Sequence, residues 1–302
     1  MNFSFTKSLF ILLVFAVSMP VFAQKTSFSL VPKGQKGETR RFELTKGKQI
    51  FRGTKQSIEN ESHQILTMTV LETTPKGSII SARYENTFGS PEPIKVRYAI
   101  GQNGDFQSII NMREVQQSFY RIFDNLTAVA AATPSVSKSV GEMRQFMTSD
   151  SYLTNSVFQE LVLIHQFYNN TFTVDSLEKY ETTLPNLFNP KGAPIQAHAT
   201  LLAKKEGALA YIRHTVEPDL VAIKQEATHY LNVMNGSSPS KLSVKSQAVS
   251  LLNEAVFDDY LFDEDFCSFN LTTGWIAAFQ RKRTIIESDV KTVEFVLLKE
   301  IR

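Results

Sequence analysis

Few residues in this chain have types and spacing that could do chemistry. His198 and His214 stand in two apolar-alternating stretches, 195–203 and 208–216, on either side of Lys204-Lys205-Glu206-Gly207. With Lys205-Glu206-Gly207 as a three-residue hairpin loop and Gly207 in the left-handed region, the two imidazoles face each other. Imidazoles on adjacent strands can share a metal or change charge near neutral pH, but a stable zinc site needs more ligands and the sequence shows no third. The same pair also reads as two half-exposed sheet residues.

A second constellation lies on one predicted strand, with Trp275 and Phe279 at its start and Gln280-Arg281-Lys282-Arg283 at its end. Rings followed by guanidinium groups can grip an amphiphile by tail and head, and Trp275, Phe279, Arg281 and Arg283 are the candidate ligand-binding residues. A strand leaving the core for solvent gives the same pattern. The acidic cluster Asp258, Asp259, Asp263, Glu264, Asp265 lacks the spacing and turn glycine of a calcium loop. It reads as a solvated loop or a blunted strand edge. Cys267, the single cysteine, sits in an apolar strand and reads as an inert core residue.

The common catalytic signatures are missing. There is no Gly-x-Ser-x-Gly elbow, no His-Glu-x-x-His helix, no phosphate loop and no Cys-x-x-Cys pair. No catalytic residue and no cofactor follow from the sequence, which weighs against an enzyme.

The elements that must position these residues fall into three blocks. Residues 39–110 are β-rich, 111–168 helical, and 180–302 β-rich with helices. Ile94, Val96, Tyr98 and Ile100 alternate with Lys95, Arg97 and Ala99, the pattern of a strand with one wet face. Asn103-Gly104 supplies a tight turn. Asn111 with Glu114 forms a capping box, and Ile110 with Val115 a hydrophobic staple, before the stripe Val115, Phe119, Ile122, Phe123. Further helices are expected from Thr133-Pro134, over 149–168, over 219–234 and over 244–256, with a linker at 236–240. A meander of three strands closes the chain, at 265–271, 275–286 and 292–301. Gly104 and Gly274 each close a hairpin followed by similar residues, which fits two related halves. The expected fold is therefore α+β, with antiparallel meander sheets covered by a central group of helices.

Lys7, the apolar run Leu9 to Val17, Pro20 and Val21-Phe22-Ala23 have the order of a signal peptide, with cleavage before Gln24. No stretch reaches the ~20 apolar residues of a membrane-spanning helix. The chain is thus expected to be exported, periplasmic or extracellular, and soluble after cleavage, with residues 24–302 as one compact or two-lobed body. With 32 basic and 30 acidic residues over the full length, it has no concentrated positive field for nucleic acid. A lone cysteine allows no internal disulfide, so the fold rests on its hydrophobic core.

From Thr39 to Arg302 the element order resembles exported gram-negative envelope proteins, and its layout is similar to periplasmic lipoprotein carriers. That resemblance implies a curved antiparallel sheet, covered by helices, holding an acyl chain. The leading functional reading is a noncatalytic binding module for an apolar or amphiphilic ligand such as a lipid. A structural or interaction protein of the envelope with a filled core is the alternative, and an exported hydrolase the third.

Overall fold

The computed structural model describes residues 26–86, 92–127, 144–184, 193–223, 225, 260–287 and 290–301. Among these, strands account for 61 % and helices for 17 %. The chain is therefore mostly β, which overturns the expected α+β fold with a central helical group. In chain order the elements are β1 (Ser27–Ser29), β2 (Thr39–Arg52), β3 (Lys55–Thr74), β4 (Gly77–Glu85), β5 (Ile94–Gly101), β6 (Phe106–Ile109) and α1 (Met112–Thr127). Then come α2 (Asp150–Tyr152), a π-helical turn (Leu153–Val157), α3 (Gln159–Leu163), β7 (Thr171–Thr173) and β8 (Leu177–Leu184). The last five are β9 (Ile195–Glu206), β10 (Leu209–Pro218), β11 (Tyr260–Asn270), β12 (Trp275–Glu287) and β13 (Val290–Ile301).

Among the described residues, one eleven-stranded antiparallel sheet runs β6-β5-β4-β3-β2-β13-β12-β11-β10-β9-β8, and β1 pairs separately with β7. The two meanders read from the sequence are fused edge to edge. β13 lies along β2, with Val290 opposite Arg52 and Ile301 opposite Arg41. Ile94, Val96, Tyr98 and Ile100 are buried, as the alternation in β5 requires. β2 passes through Gly47, where the β2–β3 register shifts between Lys46 and Lys48. A Cβ at position 47 would stand 2.6 Å from Cζ of Phe295, so glycine lets that ring cross the strand.

The helical block differs most from expectation. α1 forms, with Val115 and Phe119 buried. Asn111 does not cap it. Its Oδ1 accepts from the Arg97 N–H at 2.7 Å and its Nδ2 donates to the Lys95 carbonyl at 3.1 Å, extending the edge of β5. Ile110 is 47 % exposed and staples nothing. The expected helix over 149–168 is broken into α2, the π-turn and α3. Thr154-Asn155-Ser156 are weak helix formers, and Phe158 leaves the helical region at φ −109°, ψ 27°. Asp219 Oδ1 accepts from the Val221 N–H at 2.8 Å and starts a helix there. The signal segment, the linker at 236–240, the helix over 244–256 and most of the helices from 133 and 219 lie outside the described residues. No described helix is long and apolar enough to cross a membrane.

Segment 153–168 shows that the sheet curls. Nε2 of His165 lies 3.1 Å from the Tyr98 hydroxyl on β5. The next residue, Gln166, donates to Asp265 Oδ2 on β11 at 2.9 Å. β5 and β11 stand six places apart in the strand order, about 29 Å across a flat sheet. Two neighbouring residues with Cα atoms about 3.8 Å apart cannot span that gap with their side chains. The sheet therefore wraps around the segment, and one core cluster takes residues from β2 to β5, β9 to β13 and 153–172.

Candidate functional site

The inner face of the sheet is built in rows that the strand register fixes. The first row is apolar: Leu44, Leu298, Phe279, Cys267, Ile212 and Ala203 lie opposite one another from β2 to β9. All six are buried. The next row, one step along each strand's inner face, turns polar: Lys46, Val296, Arg281, Asp265, His214, Leu201. A third row holds Lys48, Glu294, Arg283, Asp263, Val216, Ala199 and Tyr180.

Within these rows the acidic cluster and the basic run meet. Arg281 donates to Asp265 through Nε at 2.6 Å and Nη2 at 2.7 Å. Arg283 does the same to Asp263 at 2.8 and 2.7 Å. Asp263 and Asp265 are thus buried strand residues, not part of a solvated loop or edge. Burial alone would raise the Asp265 carboxyl, but His214, Arg281 and Gln166 together hold it below its usual value. Hydrogen bonding to Asp263 raises Arg283. Nδ1 of His214 is 3.6 Å from Asp265 Oδ2, too far for a hydrogen bond, and its Nε2 is 3.0 Å from the Tyr180 hydroxyl.

The roof over these rows is the π-turn with α3 and the turns that follow. Glu160 is fully buried, accepts from the Tyr84 hydroxyl at 2.7 Å, and pairs with Lys46 Nζ at 2.6 Å. Lys46 also donates to the Val157 carbonyl at 2.6 Å. These bonds hold the roof on the β2–β4 side, and Gln166 ties it to Asp265 on β11. Among the described residues a cavity of 590 Å³ is walled by Val162, Leu163, Leu184, Ile195, Val216 and Leu261, with Arg281 and Arg283 on its floor. A second cavity of 460 Å³ adjoins it, with Lys46, Lys48, Tyr152 and Glu294 among its walls. Ser156, Gln159, Arg281 and Arg283 line both.

The residues singled out from the sequence do not form one site. Arg281 and Arg283 face this double cavity. Phe279 belongs to the filled apolar row. Trp275 lines a separate 240 Å³ cavity with Met68, Val70, Ile164 and Tyr168. The two histidines are not opposed. The β9–β10 turn is the two residues Gly207-Ala208, with Gly207 at φ +59°, so His214 lies opposite Leu201 and His198 opposite Glu217. His198 is on the outer face and exposed while His214 is on the inner one, and no described group of three His, Cys, Asp or Glu could hold a metal. Burial pushes the Cys267 thiol well above its usual value, in keeping with an inert residue.

Sequence reading missed Asp263, Asp265, Lys46 and Glu160 as members of the site. The signal for the first two was present. Asp263-x-Asp265 and Arg281-x-Arg283 have the same spacing on the two strands that flank the Thr272-Thr273-Gly274 turn.

No protein-family profile matches the chain, and no curated protein is similar to it in sequence. Among solved structures, a loop L8 deletion mutant of OmpT, an outer membrane protein of Vibrio cholerae, aligns over 88 % of this chain and 100 % of its own at 8 % identity, with a TM-score of 0.20. A likeness at that level informs neither fold nor function.

Proposed function

We propose that this protein is a noncatalytic binding module that takes an amphiphilic ligand between segment 153–168 and strands β8 to β12. The observation that carries the reading is the 590 Å³ cavity there, with aliphatic side chains such as Val162, Leu163, Leu184 and Ile195 in its wall beside a polar lining that includes Arg281 and Arg283. Its volume lies within the usual range of ligand pockets, and a few convergent polar groups among apolar walls are their usual chemistry. A chain entering it gains about 0.8 kcal/mol per buried methylene. The floor favours binding over proton transfer. Asp265 accepts from Arg281 and Gln166 and Asp263 from Arg283, and carboxylates so engaged are poor bases. Export through residues 1–23, with a mature start at Gln24, belongs to the same proposal. Intact mass of the exported protein checks it.

The test is titration of delipidated protein with Nile red, an uncharged apolar probe, beside native mass spectrometry of freshly purified material. Saturable emission that Thr182→Trp abolishes is the expected result. Thr182 lines the cavity from edge strand β8, where a larger side chain disturbs little else. No saturable binding by the wild type and no retained mass would overturn the reading and leave a protein with a filled core.

A further inference from the structure

Among the described residues, Lys46, Arg281 and Arg283 on the inner face each pair with an acid, and these three pairs point the same way. In Asp265–Arg281 the carboxylate side chain is 1 % exposed and the arginine 18 %. In Asp263–Arg283 the values are 6 % and 34 %. In Glu160–Lys46 they are 0 % and 20 %. In each pair the acid is the more buried member and the cation the more accessible one, and of the three acids Asp263 also lines the 590 Å³ cavity. Lys46, Arg281 and Arg283 all line the 460 Å³ cavity, with Lys48 beside them and Glu294 as the acid in the wall. Lys46 and Arg281 share a row with Val296 between them, which sets their backbones about 10 Å apart. Arg283 lies two residues along β12 from Arg281, about 7 Å away.

The hydrogen bonds leave donors over. Each arginine uses Nε and Nη2 on its aspartate, and no bond from either Nη1 occurs among the described residues. A guanidinium has five N–H groups, so each keeps an edge that can take a second acceptor. An anion here would meet three cations whose ion-pair partners lie behind them, with Glu294, opposite Arg283 on β13, as the carboxylate in the wall.

We infer that the ligand is an anionic amphiphile with a carboxylate or phosphate head. Its head rests among Lys46, Arg281 and Arg283 in the 460 Å³ cavity, and its chain runs past Ser156 and Gln159 into the 590 Å³ cavity. The inference rests on the binding reading above and adds the head-group chemistry and the direction in which the ligand lies. A neutral head forgoes charge-assisted hydrogen bonds, and a quaternary ammonium head meets like charge.

The experiment is calorimetry on the mature protein with dodecanoate, dodecyl phosphate, dodecanol and dodecyltrimethylammonium, each below its micelle concentration, and with inorganic phosphate. One or both anionic amphiphiles should bind about tenfold or more tightly than dodecanol, and the ammonium most weakly. The double variant Asp263→Asn/Arg283→Gln removes one cation without stranding its buried partner, and should narrow the affinity gap between the anions and the alcohol. Lys48→Gln, a change with no buried partner, should weaken the anions in the same direction and guards against misfolding of the double variant. Equal affinity for all four head groups overturns the inference while the binding reading stands. Inorganic phosphate binding as tightly as dodecyl phosphate overturns the proposed seating and leaves an anion site alone. No binding by any of the chains overturns both.

Discussion

Tyr168 donates its hydroxyl proton to the carbonyl oxygen of Gly274 at 2.7 Å. Three residues earlier, Nδ1 of His165 donates to the carbonyl of Gly104 at 2.8 Å. Gly104 closes the β5–β6 hairpin and Gly274 the β11–β12 hairpin, both at positive φ. One turn of chain therefore ties together two hairpins from opposite halves of the sheet. A Cβ on Gly104 would stand 2.8 Å from Cβ of Tyr168, and one on Gly274 would stand 2.5 Å from the Val31 carbonyl. Both sites need glycine for close approach as well as for φ. Tyr168→Phe keeps the ring against Phe269 but strands a buried carbonyl, so it should destabilise by about 1–3 kcal/mol. Urea denaturation measures the loss, and an unchanged midpoint would mean that packing alone holds the seam.

His165 makes this clamp sensitive to acid. Desolvation by burial lowers its value to about 4, against the opposing pull of the Gly104 bond and Asp105. The folded chain keeps the imidazole neutral, with Nδ1–H on Gly104 and Nε2 accepting from Tyr98. The unfolded chain takes a proton near pH 6.5, as an ordinary histidine does. Between about pH 6.5 and 4 the unfolded state therefore binds more protons, and stability falls as the pH drops through that window. The loss reaches about 3 kcal/mol at its lower end and then levels off, while above 6.5 the group contributes no slope. The lowered carboxyl of Asp265 adds its own loss further down, as the pH falls through the ordinary aspartate range. His165→Asn keeps a donor for Gly104 and does not titrate. Its stability should be nearly flat between pH 6.5 and 4, and a slope equal to the wild type's would exclude His165 as the source.

Asn111 and Ile110 separate two ways of starting α1. A capping box and staple would make both residues stabilising. In the fold Asn111 Oδ1 accepts from the Arg97 N–H, its Nδ2 donates to the Lys95 carbonyl and to Glu114 Oε2, and Ile110 is exposed. Asn111→Ala should cost about 1–3 kcal/mol by leaving the Arg97 N–H and the Lys95 carbonyl without partners, and Ile110→Ala should fall within about 0.5 kcal/mol of wild type. Comparable losses from both would restore the staple.

The same residues show what the sequence could reveal. Strands with one wet face, such as β5 and β9, are legible because burial on one side writes a period of two into the side chains. The first part of β3 is exposed on both faces, so it carries no such period and passes for loop. Register is harder to read. Placing the β9–β10 turn on Gly207-Ala208 shifts the pairing by an odd number of residues, which sends His198 and His214 to opposite faces. The ion pairs at Arg281 and Arg283 depend on the register of β11 against β12, and equal spacing of acids and bases on the two strands is the trace it leaves. The curl of the sheet leaves none, because it arises where segment 153–168 reaches β5 and β11 at once.

Glu160 and Lys46 give the sharpest test of how that segment is held. The Glu160 carboxylate is fully buried, with the Tyr84 hydroxyl on one oxygen and the Lys46 ammonium 2.6 Å from the other. Taking a carboxylate out of water costs several kcal/mol, which only a close partner offsets. Lys46→Met removes that partner and leaves the charge sealed beneath α3, so it should destabilise by about 3–5 kcal/mol. Lys46→Met/Glu160→Gln removes both charges. The glutamine amide still accepts from Tyr84 and can donate toward the Val157 carbonyl that Lys46 used. The double variant should therefore lie within about 1–2 kcal/mol of wild type, well above Lys46→Met alone. Denaturation midpoints of the wild type, both single variants and the double variant complete the cycle. If the second substitution adds to the first instead of reversing it, the buried charge is not what makes Lys46 necessary, and α3 is held by the packing of Phe158, Leu161 and Ile164.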